Sequence, residues 1–217
     1  MTGTFEGLQY SLISSVKRWD EQYNDIITTV NEQRGEIISL THTPRNIGQI
    51  NIQIVWYITN PLESRSSVNV YTFKRFSSKG DYKEALEQAR NYLNEWVAPH
   101  NLVAVSVFEE DHPNNTKNLV NVVVLQRGTG DKSNASVAAD IVGSIYNWKV
   151  LTNDASWEVL LSQVALTSEQ SDRATVSTFN WSTQGADSYA AAVLSWSKTH
   201  EDMLIDSERG GCSCVIF

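Results

Sequence analysis

Cysteine is nearly absent. The 217 residues hold two, Cys212 and Cys214, both in the last six positions. No disulfide therefore staples the body of the chain, and a bridge between the two would close only a tiny, strained loop. Long apolar runs are also missing. The longest, Tyr189 to Leu194, covers six residues, against the roughly 18 to 20 that a membrane-crossing helix needs. Met1 to Tyr10 shows no basic stretch followed by an apolar one, so no signal peptide is expected. The N-x-S/T sites at Asn114, Asn134 and Asn180 then lack a secretory route to glycosylation, and the chain reads as cytosolic and reduced.

Positive charge is scarce as well. Lys and Arg number 17 against 25 Asp and Glu, a net charge of −8. Phosphate neutralisation needs clustered Lys and Arg, so nucleic acid is excluded as a partner. Only four prolines occur, and no Pro-rich or Gly/Ser-rich linker divides the chain into parts. What is plentiful is aromatic surface. Seven Trp, eight Tyr and six Phe, within an apolar fraction of 41%, suffice for a core and exclude wholesale disorder. Charge is uneven along the chain. Residues 1–80 carry eight Lys/Arg against seven Asp/Glu, and residues 81–217 carry nine against eighteen. Arg65, Lys74, Arg75 and Lys79 cluster before the acidic part and read as a solvated face.

Hydrophobic spacing marks the elements. Val16, Trp19, Tyr23, Ile26, Ile27 and Val30 fall on one helical face, predicting a helix over Ile13 to Gln33. Strands are expected at Glu36 to Thr41 and Ile50 to Thr59, joined by the connection His42 to Gly48 with Pro44. A strand over Val68 to Phe76 leads to a second helix. Asp81 caps it, Glu84 stands at the capping-box spacing, Ala85, Leu86, Ala89, Leu93 and Trp96 form its stripe, and Pro99 ends it. Strands at Leu102 to Phe108 and Leu119 to Gln126 follow, around the polar loop Glu109 to Lys117. With Phe5 to Ser11 as a further strand, the chain holds two strand-helix-strand-strand units offset by some 66 to 69 residues. Beyond Gly128 a short helix over Ser133 to Tyr146 is expected. Strands at Trp148 to Thr152, Ser156 to Leu166 and Ala174 to Ser182 come next, with a turn at Thr167 to Arg173. The last element is a helix over Asp187 to Leu204, capped by Asp187 and striped by Tyr189, Ala192, Val193, Trp196 and Met203.

The fold class is therefore α+β, with duplicated units forming mainly antiparallel sheet packed by amphipathic helices. Residues 1–205 form one body, with repeats at 5–59 and 68–127 completed by 133–205. Residues 206–217 form a flexible tail.

Few motifs carry chemistry. Gly128-Thr129-Gly130-Asp131-Lys132-Ser133 sits where a phosphate-binding loop would, but Asp131 replaces the Gly that must precede Lys. Glu109, Glu110, Asp111 and His112 are too close in sequence to face one ion. Trp56, Tyr57, Tyr71, Phe73 and Phe76 interleave with Lys74 and Arg75 on strands, a pattern that core packing explains. His42, His100, His112 and His200 are scattered. His42 and His112 occupy matching loops and mark a possible ligand pocket between sheet and helices. There is no G-x-S-x-G elbow and no cysteine in the body. A non-enzymatic role is favoured, with no cofactor and no metal.

The strongest signal is the closing Cys214-Val215-Ile216-Phe217. It resembles the CaaX box of prenylated proteins, with Val215 and Ile216 as the aliphatic pair and Phe217 as the residue that favours geranylgeranyl transfer. The resemblance implies a prenyl thioether on Cys214 and recognition of Val215, Ile216 and Phe217 by a protein prenyltransferase. One prenyl chain holds weakly, and stable anchoring takes a second signal. A polybasic stretch is absent, since Glu201, Asp202, Asp206 and Glu208 outnumber Lys198 and Arg209. S-acylation of Cys212 is the second signal expected. The chain reads as a membrane-tethered adaptor or binding protein on a cytoplasmic leaflet, acting on a protein partner. A small-ligand enzyme or carrier is one alternative. An effector delivered by a bacterium or virus and prenylated by its host is the other.

Overall fold

The computed structural model describes residues 2–5, 8–15, 19–44, 50–58, 70–98, 101–110, 118–128, 146–153, 156–171, 174–183 and 186–196. The class is α+β. Among the described residues ten strands form three antiparallel sheets, and each sheet contains a strand-helix-strand-strand unit with its third strand in the middle. The first unit is β2 (Leu8–Ser15), α1 (Trp19–Glu32), β3 (Gly35–Pro44) and β4 (Ile50–Ile58), with β1 (Thr2–Phe5) added beside β2. The second is β5 (Tyr71–Lys79), α2 (Tyr82–Trp96), β6 (Leu102–Glu110) and β7 (Leu119–Arg127). The third is β8 (Tyr146–Asn153), α3 (Trp157–Glu169), β9 (Ala174–Thr183) and β10 (Ala186–Trp196). The sheet orders are β1-β2-β4-β3, β5-β7-β6 and β8-β10-β9.

The first two helices form for the expected reasons. Tyr23, Ile27 and Val30 of α1, spaced four and three apart, are all buried. In α2, Asp81 accepts from the backbone N–H groups of Lys83 (2.9 Å) and Glu84 (3.3 Å), satisfying two orphan donors. Glu84 is engaged by the Ser78 hydroxyl. Ala85, Leu86, Ala89 and Leu93 make the buried stripe. The start of α1 differs from the expectation. Leu8, Tyr10 and Leu12 alternate along β2, whose ladder with β4 runs from Leu8–Tyr57 to Ser15–Ile50. That ladder claims Ile13 to Ser15, and the helix begins at Trp19. At its other end Arg34 takes a left-handed φ of 53° and Gly35 opens β3. A Cβ on Gly35 would stand 2.5 Å from Trp56 Cδ1.

The third unit overturns two expectations. Ser156 to Leu166 is not a strand. Ser156 caps α3 by accepting from the N–H groups of Glu158 (3.1 Å) and Val159 (3.4 Å). Asp187 to Leu204 is not a helix over its described part. Asp187 to Trp196 lies in β10, paired with β8 and β9 along its length. Its alanines suggested a helix, but Ala190, Ala192 and Leu194 face one core and Ala191 and Val193 another. A strand covered on both faces is apolar at every position, which hides its period of two. The helix expected at Ser133 to Tyr146 lies outside the described residues except Tyr146, which opens β8.

Sheets and helices alternate in a stack. The Ile52, Ile54 and Trp56 face of β4, the stripe of α1, and the Tyr71, Val123 and Leu125 face of the second sheet share one core. The opposite face of that sheet, with Val120, Val122 and Val124, shares a core with α2 and with Tyr146, Ala190, Ala192 and Leu194 of the third sheet. Leu160 and Val164 of α3 cover Ala191 and Val193 on the far side. The edge strands complete the joint, because β6 lies against both β3 and β9.

Candidate functional site

His42 lies in strand β3, two residues before its end, rather than in the connection expected there. It is buried, and its ring stacks on Phe108 of β6 with centroids 4.5 Å apart and planes 10° apart. The Tyr23 ring of α1 is 6.1 Å away and meets Phe73 of β5 edge-on at 4.2 Å. His42 is thus part of the packing where the first two sheets meet. Burial drives its pKa down to about 3, so the imidazole is neutral near pH 7. Burial also raises the pKa of the Tyr23 hydroxyl, which stays protonated. His112, the other residue of the expected pocket, lies outside the described residues.

Along β5, Tyr71, Phe73 and Arg75 alternate onto one face and Lys74 and Phe76 onto the other, so each face carries aromatic and basic residues together. Trp56 and Tyr71 are each 1% exposed, and Phe73 and Phe76 pack against the two larger cores. Lys74 points to solvent. The acidic run begins inside β6. Glu109 and Glu110 end that strand, and Glu110 accepts from the side-chain amide of the buried Asn121 at 3.4 Å. Asn121 also accepts from the Ser77 hydroxyl at 2.7 Å. This network ties the three strands of the second sheet together. Among the described residues no group of three His, Cys, Asp or Glu side chains is placed to hold a metal ion. Gly128 is described, with φ 98°; the rest of the phosphate-loop-like stretch, 129–133, is not.

The surface feature that sequence reasoning missed is α3. Read as a strand, its residues offered no face. As a helix it buries Leu160 and Val164, and apolar side chains stand on both flanks of that stripe. Trp157 is 37% and Leu161 55% exposed on one flank; Val159 is 45% and Leu166 58% exposed on the other. Ser156, an N-cap residue directly before the apolar run, was the available signal.

The lipidation residues Cys212, Cys214, Val215, Ile216 and Phe217 lie outside the described residues, but the end of β10 is described. Ser195, next to the last residue of β10, pairs with Ala174, five residues after the end of α3. The last described strand therefore ends near the C-terminal end of α3. Among the described residues no helix is long and apolar enough to cross a membrane. Comparison with protein families, with curated proteins and with solved structures finds no match.

Proposed function

We propose that this protein is a membrane-tethered, non-enzymatic binding or adaptor protein, prenylated at Cys214 and displayed on a cytoplasmic leaflet. The observation that carries this reading is the closing Cys214-Val215-Ile216-Phe217. A thiolate two aliphatic residues before Phe is what a geranylgeranyl-type transferase reads, the product being a stable thioether. Cys212 supplies a second thiol for reversible S-acylation, which the weak hold of one chain requires.

Two features support the reading. Seventeen residues separate Trp196, the end of β10, from Cys214. At about 3.3 Å per residue a segment of that length can span at most roughly 55 Å, enough to bridge a protein body and a membrane surface. The exposed Leu166 flank of α3 also stands near the end of the last described strand. The protein partner is bound by the body while the lipid restricts it to a surface.

The test is intact mass of the protein made in eukaryotic cells, beside Cys214→Ser, with fractionation of both. A prenyl mass on the unsubstituted protein alone, together with release of Cys214→Ser into the soluble fraction, is the expected result. An unmodified, soluble protein refutes the anchor.

A further inference from the structure

Two of the three helices among the described residues are covered twice, by their own sheet and by the first strand of the next unit. Asn31 of α1 accepts from the backbone N–H of Tyr71 at 2.8 Å and donates to its carbonyl at 3.1 Å. Asn94 of α2 accepts from the backbone N–H of Tyr146 at 2.8 Å. Tyr71 and Tyr146 are the first residues of β5 and β8, and both Asn are the thirteenth residues of their helices. The fifth residues are Tyr23, Leu86 and Leu161. Tyr23 packs on Phe73 of β5, and Leu86 shares its core with Tyr146 of β8. These two are 0% and 4% exposed; Leu161 is 55% exposed.

The same flank of α3 thus carries the apolar residue of a covered position without its cover. Its thirteenth residue is Glu169, whose carboxylate can accept from a backbone N–H as the two Asn amides do. In both earlier units the cover is the chain that follows the third strand. Twelve residues lie between Ile58 and Tyr71, and eighteen between Arg127 and Tyr146. The same interval counted from Trp196 ends between Arg209 and Val215. The apolar segment Cys212–Phe217 begins within it. The end of the last described strand, near the end of α3, puts it within reach.

We propose that the Leu161 flank of α3 is the seat of the chain's own segment Cys212–Phe217, which covers it as β5 and β8 cover α1 and α2. One consequence rests on the lipidation reading above. A lipid on Cys214 would lie against the same flank, so that a membrane and the protein body compete for the anchor.

The docking is tested on the full chain made in bacteria, where Cys212 and Cys214 remain free thiols. Leu161→Cys and Val159→Cys, the latter at nearly the same height on the opposite, exposed flank of α3, are oxidised mildly and their disulfides mapped. Neither side chain is in the described core, so both variants fold. The tether reaches both positions alike, whereas docking on the Leu161 flank raises the local thiol concentration at 161 alone, and intramolecular bridging there should exceed that at 159 by about tenfold or more. Equal rates overturn the proposal. Bridges at 161 that are only intermolecular also overturn it and assign the flank to a second copy. Because no lipid is present, these outcomes are independent of the intact-mass result, which alone decides prenylation.

Discussion

Acid should unfold this protein through His42. The ring lies flat on Phe108, 4.5 Å from its centroid, in the joint between the first two sheets. Its pKa falls from 6.5 in the unfolded chain to about 3 in the folded one because burial disfavours the charged form. Between those values the unfolded chain holds a proton that the folded chain does not. Stability from this group is complete above about pH 7 and is lost as pH falls toward 3. At pH 5 the unfolded His gains about 2 kcal/mol by protonation, and the full difference below pH 3 is about 5 kcal/mol. Against a total of some 5–15 kcal/mol for a folded domain, the pH 5 term is visible. The assay is urea unfolding by tryptophan fluorescence at pH 7.5 and 5.0, on the unsubstituted protein and on His42→Phe. Phe fills a similar volume and cannot ionise, and carboxylate effects are common to both. The unsubstituted protein should lose about 2 kcal/mol more than the variant over this interval. Equal losses would refute a neutral, buried His42.

Three further outcomes follow from the packing. Leu86→Ala should cost about 2–5 kcal/mol in urea unfolding, because it opens a cavity between two sheets. Gly35→Ala should cost roughly 1–3 kcal/mol, since the new Cβ must displace the indole of Trp56 from a filled core; an unchanged midpoint would show that the indole moves freely. Asn94→Ala leaves the Tyr146 N–H without its acceptor and should cost about 1–2 kcal/mol, with faster amide exchange at the start of β8 as its local signature.

The elements that sequence spacing revealed are those whose two sides differ. In α2, Asp81 capping and the Ala85-Leu86-Ala89-Leu93 stripe stand out because the opposite side is charged. In β10 the two faces are equally apolar, and a run of alanines with Val193 and Leu194 has no readable period. In α3, Val159, Leu161 and Leu166 blur the stripe of Leu160 and Val164 in the same way. Mistaking a helix for a strand and a strand for a helix hid the third unit, although its order of elements matches the other two. The place of His42 was illegible for a different reason. Its burial depends on Phe108, 66 positions further along the chain, and no local pattern reports such a pairing. The box at the C-terminus was legible because its chemistry is read by residue type and order alone.

The joint of β6 with β3 on one side and β9 on the other makes the molecule a short one-dimensional array. Among the described residues the main contacts between units join the first to the second and the second to the third, so the thermodynamics are those of coupled neighbours rather than of one indivisible body. The middle unit has two couplings and each end unit one. Breakage therefore starts at an end and travels inward. An array of this kind has a direction and can be lengthened. A further strand-helix-strand-strand unit joined after β10 would add one coupling and leave the existing ones in place.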